Sequence, residues 1–315
     1  MNILVTGCAG FIGFHLCKRL LEEGNLVIGM DNFASGSKAN IEALSKYDKF
    51  NFNEHDVGQS LDWLDFIKID QIFHLASIAS PPLYTQNPFS PIVSNTMGTL
   101  NCLRLARRNQ AAFLFTSTSE VYGDPLQHPQ SEAYYGNVNC YGPRSCYDES
   151  KRLGETIIYE FRRLNPTDTK IVRIFNTYGP HMNLEDGRVI IEFIRKALKN
   201  EPLVIFGSGD QTRSFCYVDD LVEGLLKMIR SREEGPINLG NDVEEWSIRA
   251  LATKIIKLTG SSSPIIYREA MQNDPVVRRP DLTKAKGKLG YENLFTLDEG
   301  LKRTIEWVRS LDDSE

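Results

Sequence analysis

Histidine is scarce in this chain of 315 residues, with five in all, and no His/Cys cluster stands at metal-ligand spacing. A metal centre of that kind is not expected. The six cysteines (Cys8, Cys17, Cys102, Cys140, Cys146 and Cys216) include no C-x-x-C pair, and several fall within apolar patterns. They read as reduced core thiols rather than a disulfide framework or a redox motif. No apolar run approaches the eighteen residues of a membrane span, and Met1 precedes the first apolar strand by one residue, leaving no room for a signal peptide. A cytoplasmic location is the default expectation. An excess of basic charge is also lacking: 36 Lys and Arg stand against 41 Asp and Glu, for a net charge of −5. That balance argues against nucleic acid or an anionic membrane as the main partner. Any anionic ligand must then be met by a few local arginines. No repeat, low-complexity stretch or linker divides the chain, which is long enough for one large or two medium domains.

What the chain does have is a glycine-rich turn at its start. The apolar run Ile3 to Val5 reads as a buried strand, Gly7, Gly10 and Gly13 follow, and His15 to Leu21 carries apolar residues at helical spacing. In a strand–turn–helix unit of this kind Gly7 permits the tight turn and Gly10 lets a pyrophosphate approach the backbone. Gly13 lets the helix pack closely on the sheet, and the helix N-terminus at Phe11 and Ile12 faces the phosphate charge. A second apolar run, Leu26 to Met30, ends at Asp31, eighteen residues past Gly13, about where an acid binds the adenosine ribose. These residues together predict a dinucleotide site.

The first half continues in a βαβ rhythm. Short apolar runs at Phe50 to Asn53, Gln71 to Leu75 and Ala111 to Phe115 read as strands. Helices are predicted at Leu61 to Ile67, Pro88 to Arg108 and Ser145 to Leu164, with a sixth strand from Lys170 to Phe175. Unbroken apolar strands imply a parallel sheet covered on both faces, hence an α/β, Rossmann-type doubly wound fold. After Tyr178 the rhythm loosens. Helices are predicted at Val189 to Leu198, Asp219 to Ser231, Ser247 to Leu258 and Leu297 to Arg309, with a strand at Leu203 to Phe206. The division expected is a dinucleotide-binding domain over residues 1–178, joined again by a segment near 213–240, and a smaller substrate lobe mainly over 179–315.

The candidate chemistry lies in Tyr147-Asp-Glu-Ser-Lys151, where the tyrosine and lysine share one helix face at i and i+4. A free phenol, with a pKa near ~10, is a poor base at neutral pH. An ammonium a few ångströms away and a positive nicotinamide would stabilise the phenolate. Hydroxyls of Phe115-Thr-Ser-Thr118-Ser119-Glu120 emerge from the end of the fifth strand, where Thr118 can bond the hydroxyl that Tyr147 deprotonates.

Together these residues resemble the extended short-chain dehydrogenase/reductase superfamily, over nearly the whole chain. The resemblance implies Asp31 and Asn32 on the adenosine ribose, Asp56 and Val57 beside the adenine, and Ala76 and Ser77 lining the cofactor. It also implies Tyr147 and Lys151 as catalytic pair with Thr118 as third member. The acid at Asp31 would repel a 2′-phosphate, favouring NAD over NADP. Within the superfamily, several longer segments are similar to those of the UDP-glucuronate decarboxylase family: Thr116 to Pro125, Gly136 to Asn139, Gly142 to Glu149, Arg173 to Pro180, Asp186 to Val189 and Gln211 to Phe215. Ser119 stands where related dehydratases carry an aspartic acid and UDP-apiose synthases a cysteine; serine before glutamate is the decarboxylase pattern.

That resemblance implies conversion of UDP-glucuronate to UDP-xylose. Oxidation at C4 makes a β-keto acid, CO2 leaves to give an enolate that Thr118 and Tyr147 can stabilise, C5 is protonated and C4 is reduced again. Glu120 is expected near C5, as a proton relay or by steering the ring. Among the arginines, Arg188, Arg213 and Arg278 are candidates for the diphosphate and carboxylate, because the guanidinium fork matches such groups. Arg278, in an Arg-x-Pro-Asp segment, corresponds to the arginine the decarboxylases need for activity. Asn176 and Tyr217 carry over as nucleotide or sugar contacts. An arginine on the carboxylate itself would oppose decarboxylation by stabilising the ground state. Departures from the family are Tyr135 in place of a tryptophan, Cys140-Tyr141 in place of Pro-Ile or Pro-Leu, and Ile78 within Ser77-Ile-Ala-Ser80. Alternatives are an oxidative decarboxylase releasing a 4-keto pentose, another nucleotide-sugar epimerase or dehydratase, and a silent NAD-binding regulator; the last typically loses the tyrosine or lysine that this chain retains. The resemblance also implies a homodimer formed through the helices at Pro88 to Arg108 and Ser145 to Leu164.

Overall fold

The fold follows from strands buried on both faces. In a computed structural model, which describes residues 1–270 and 276–312, Ile3 and Val5 of the first strand enter one core cluster while Leu4 enters the other. All three are fully buried, each worth about 1.5–3 kcal/mol relative to exposure. Seven strands make a parallel sheet: β1 (Asn2–Thr6), β2 (Leu26–Asp31), β3 (Phe50–Glu54), β4 (Gln71–His74), β5 (Ala112–Thr118), β6 (Thr169–Ile174) and β7 (Ile237–Leu239). Their spatial order is β7-β6-β5-β4-β1-β2-β3, which confirms the doubly wound parallel class. The order reverses between β1 and β4, so a crevice opens at the carboxyl ends of those two strands.

One face of the sheet is covered by the helices Phe11–Glu22 and Val218–Arg230, whose apolar stripes belong to the larger cluster. The other is covered by Thr99–Asn109 and Ser145–Leu164. Ser145–Leu164 and Val189–Leu198 have the bounds their periodicity predicts. Gly154 lets the first of these press on the sheet: a Cβ there would lie 2.8 Å from the Phe115 ring and 2.9 Å from the Asn95 carbonyl.

Two expected helices differ. The segment Leu61 to Ile67 forms only a 3-10 turn, Asp62–Leu64. Its apolar residues Leu61, Leu64 and Ile67 recur every third position, the repeat of a 3-10 turn rather than of an α-helix, and Arg108 holds it through Asp62 and Asp65. The helix expected over Pro88 to Arg108 is interrupted by a π turn, Ser94–Gly98, between Phe89–Val93 and Thr99–Asn109. Two of its polar groups meet partners outside the helix: Asn95 donates to Ser150 at 2.9 Å, and His74 Nε2 lies 3.2 Å from the Ser94 carbonyl.

Over the carboxyl ends of the sheet lies a second layer. Leu203–Phe206 pairs in parallel with Ile265–Arg268, flanked by Val189–Leu198 and Ile248–Thr259. A small three-stranded ribbon joins Trp246–Ser247, Thr212–Arg213 and Val277–Arg278, and sets Arg213 beside Arg278 in register.

Candidate active site

One continuous cleft runs from the glycine turn to this ribbon, and it collects most of the predicted residues. Gly7 has a φ of +75°, a conformation side chains rarely adopt, and a Cβ on Gly13 would lie 2.0 Å from the Gly7 carbonyl oxygen. Gly10 differs: the nearest atom to a Cβ there is 3.2 Å away, and the residue faces the cleft. The first amides of the helix Phe11–Glu22, including Phe11, Ile12 and Gly13, have no intrahelical acceptor and line the same wall. Asp31, Asn32, Val57, Ala76 and Ser77 continue it. Asp31 is buried, and its two carboxylate oxygens accept from the amides of Ala9 (3.0 Å) and Phe33 (2.8 Å); burial raises its pKa while those amides lower it. Asp56 lies outside the lining and holds Asn32, accepting its side-chain amide at 2.8 Å. The Ser77 hydroxyl is buried without a protein partner. A bare glycine surface for a pyrophosphate and an acid at the end of β2 both fit a dinucleotide carrying free ribose hydroxyls.

The reactive end gathers where β5 runs into the 3-10 turn Ser119–Tyr122. Thr118 caps that turn by accepting from the Glu120 amide at 3.2 Å, and its hydroxyl stands near enough to the Tyr147 phenol to lower the phenol's pKa. Ser119 is buried in the cleft wall beside it. Burial raises the Tyr147 pKa; Thr118 lowers it, Glu120 and Asp148 raise it, and Arg188 lowers it. Lys151 shares the helix face and the cleft as expected, and its ammonium donates to the Thr116 carbonyl at 2.7 Å and lies 5.9 Å from the Tyr147 ring centroid. The ammonium thus stands a few ångströms from the phenol ring, as the spacing predicts. Burial lowers the Lys151 pKa to about 7.

Glu120 sits between two guanidinium groups. Arg144 donates to Oε2 at 2.7 Å and Arg278 to Oε1, while Arg278 also donates to the Gly123 carbonyl at 3.1 Å. Burial alone would raise the Glu120 pKa, but the two arginines outweigh it and hold the group down to about 2. Asp148 behaves oppositely: burial and then the Glu120 charge push it up to about 7, and its Oδ1 has no hydrogen-bond partner.

Asn176, Arg188, Arg213 and Arg278 line the cleft. Arg188 is paired with Asp186, and Arg213 donates to the Thr212 carbonyl at 2.9 Å. Tyr217 is not in the lining. It packs in the core against Phe295 (ring centroids 4.8 Å apart) and Tyr178, because Cys216–Tyr217 pairs with Thr177–Tyr178. Two residues of the site were missed in the sequence. Arg144 lies three residues before Tyr147, a spacing that puts both on one side of a helix start. Tyr84 is fully buried, stacks on the Tyr147 ring and leaves its hydroxyl without a protein partner; nothing local in the sequence signals that stack. Among the described residues, no cluster of His, Cys, Asp and Glu is arranged to hold a metal ion.

A glycine-bounded dinucleotide cleft ending in Tyr147, Lys151 and Thr118 defines a class, and the comparisons give the same one. The model of the NAD dependent epimerase/dehydratase family matches residues 3–240, and the chain belongs to that family. Within it, the chain is 48% identical to UDP-glucuronic acid decarboxylase 1 of Xenopus tropicalis, covering 98% of this chain and 72% of that one. It is 49% identical to UDP-glucuronic acid decarboxylase 6 of Arabidopsis thaliana, covering 96% and 87%. Among solved structures it is similar to the UDP-glucose 4-epimerase of Thermotoga maritima with UDP-glucose (TM-score 0.91, 30% identity, 99% of each chain). It is also similar to the UDP-glucuronic acid 4-epimerase of Bacillus cereus with UDP-glucuronic acid and NAD (TM-score 0.89, 30% identity, 99% of this chain and 100% of that one).

Proposed function

We propose that the protein is a UDP-glucuronate decarboxylase that forms UDP-xylose and keeps NAD as a resident cofactor. The observation that carries this reading is Glu120, held between Arg144 and Arg278 beside the Tyr147–Thr118 pair. Identity near 48% to decarboxylases, against 30% to epimerases of the same fold, supports it. Gly7, Gly10, Gly13, Asp31, Asn32, Val57, Ala76, Ser77 and Lys151 would hold NAD, which when bound takes up the oxidising step at C4 and reverses it at the end.

The residues of the chain then have distinct tasks. Tyr147 takes the proton of the C4 hydroxyl, with Thr118 fixing that hydroxyl from the other side. Burial keeps the phenol protonated once it has taken that proton, so it can donate a hydrogen bond to the C4 oxyanion of the enolate as CO2 leaves. C5 lies toward Glu120 and Arg278, which steer the ring and the proton that C5 receives. A bare guanidinium on the substrate carboxylate would hold the ground state and slow loss of CO2. The Glu120 carboxylate bonds both Arg144 and Arg278 and offsets one of their two positive charges, which weakens that hold. Arg188 and Arg213 face the nucleotide diphosphate. Release of CO2 from UDP-glucuronate in the presence of NAD tests this reading, and epimerisation without CO2 would refute it.

We also infer a homodimer. The adjacent helices Phe89–Asn109 and Ser145–Leu164, with the π turn between their contacts, expose Phe89, Met97, Leu153 and Tyr159. An apolar face of this kind on paired helices fits a second copy of the chain.

A further inference from the structure

The Glu120–Arg278 pair joins two segments 158 residues apart in sequence, and a buried amide bridges the same segments from behind. Asn238, on β7, is fully buried and outside the cleft. Its Oδ1 accepts from the Tyr122 hydroxyl at 2.7 Å, and Tyr122 belongs to the turn that carries Glu120. Its Nδ2 donates to the carbonyls of Gln130 (3.0 Å) and Asp281 (3.2 Å).

Gln130, also fully buried, clasps the arginine segment. Its amide donates to the Arg279 carbonyl at 2.9 Å, its Oε1 accepts from the Arg279 amide at 2.9 Å, and its carbonyl accepts from Asp281 at 2.8 Å. One side of the Asn238 amide is therefore tied to the Glu120 turn and the other to the Arg278 segment. The Tyr122 hydroxyl is fixed in turn by Arg173, which donates to it at 3.0 Å and is gripped by Glu155 at 3.0 and 2.7 Å. Every side-chain polar atom of Asn238, Gln130 and Tyr122 is partnered, the condition under which a buried network enforces one geometry.

We propose that Asn238, acting through Tyr122 and Gln130, is a positioning residue that sets the register of Glu120 against Arg278 and so serves the CO2-releasing step rather than the oxidation of C4. The proposal rests on the reading that Glu120 and Arg278 act on that step. Thr118 caps the same turn through the Glu120 amide, but neither it nor Tyr147 nor Lys151 is hydrogen-bonded to Asn238, Gln130 or the Tyr122 hydroxyl, so C4 oxidation is expected to survive loss of the bridge. A shift of about an ångström in a catalytic group costs up to a hundredfold in rate.

Tyr122→Phe removes only a hydroxyl, since the ring stays packed on Tyr134, Phe175 and Arg173. Asn238→Asp keeps the acceptor for Tyr122 and loses the donor toward Gln130 and Asp281. The experiment mixes each holoenzyme with UDP-glucuronate and follows absorbance at 340 nm and CO2 together, with Glu120→Gln alongside. The expected result is CO2 release lowered about ten- to a hundredfold with C4 oxidation within about twofold of wild type, so that the 340 nm signal accumulates. Unchanged CO2 release in Tyr122→Phe beside an impaired Glu120→Gln overturns the proposal alone. Both steps falling in the same proportion makes the bridge merely structural and overturns it as well. Wild-type CO2 release from Glu120→Gln overturns the reading of Glu120 and this proposal with it.

Discussion

Arg144 donates to Glu120 at 2.7 Å from just outside the helix that carries Tyr147. The contact ties the residue assigned to C5 to the element that bears the base. In Arg144→Leu only Arg278 remains to offset burial, so the Glu120 pKa rises from its depressed value. CO2 release that needs charged Glu120 then fails at higher pH than in wild type. The acid limb of the pH–rate profile moves up by about one unit or more; superimposable profiles contradict a role for the Glu120 charge.

Tyr84 and Tyr147 stack with ring centroids 5.5 Å apart and planes 3° from parallel. Tyr84→Phe keeps the stack and removes a hydroxyl with no protein partner, so denaturant titration should show stability unchanged or raised. Tyr84→Ala opens a cavity against Tyr147, costs about 3–5 kcal/mol and lowers turnover. A Phe variant destabilised by more than about 1 kcal/mol would mean that the hydroxyl is bonded after all.

Much of this was legible in the sequence, for reasons the structure makes plain. Apolar runs such as Ile3 to Val5 read as sheet because both faces are buried, and Tyr147, Lys151 and Thr118 meet because helix period and strand end are local properties. Tyr84, Asp148 and Asn238 were not read. Their importance lies in contacts between segments distant along the chain, and no local periodicity encodes those. Tyr217 was carried over from the resemblance as a nucleotide or sugar contact, but a short strand pairing turns it into the core.

Two buried groups give the protein without added nucleotide a distinctive pH dependence of stability. The Asp148 pKa is raised from 3.8 to about 7. Between those values the unfolded chain has released a proton that the folded one keeps, so this group's contribution falls as pH rises. The Lys151 pKa is lowered from 10.5 to about 7. Between 7 and 10.5 the unfolded chain holds the extra proton, so its contribution rises with pH. Asp148→Asn should flatten the first limb and Lys151→Met the second in urea titrations. Unaltered slopes in both variants contradict these ionisations.

The inferred dimer is tested by charge. Met97→Glu combined with Leu153→Glu places carboxylates on the exposed apolar face, and light scattering after gel filtration should shift from dimer to monomer mass. An unchanged mass places the interface elsewhere.

The most direct measurement is a time course of the holoenzyme with UDP-glucuronate in which CO2, nucleotide sugars and absorbance at 340 nm are recorded on one sample. With Tyr147 as base, Thr118 holding the C4 hydroxyl and Glu120 acting near C5, CO2 and UDP-xylose form in equal amounts, and the 340 nm signal rises and decays to baseline. Absence of CO2, or CO2 matched by a lasting 340 nm signal and a 4-keto pentose, would contradict a redox-neutral decarboxylase.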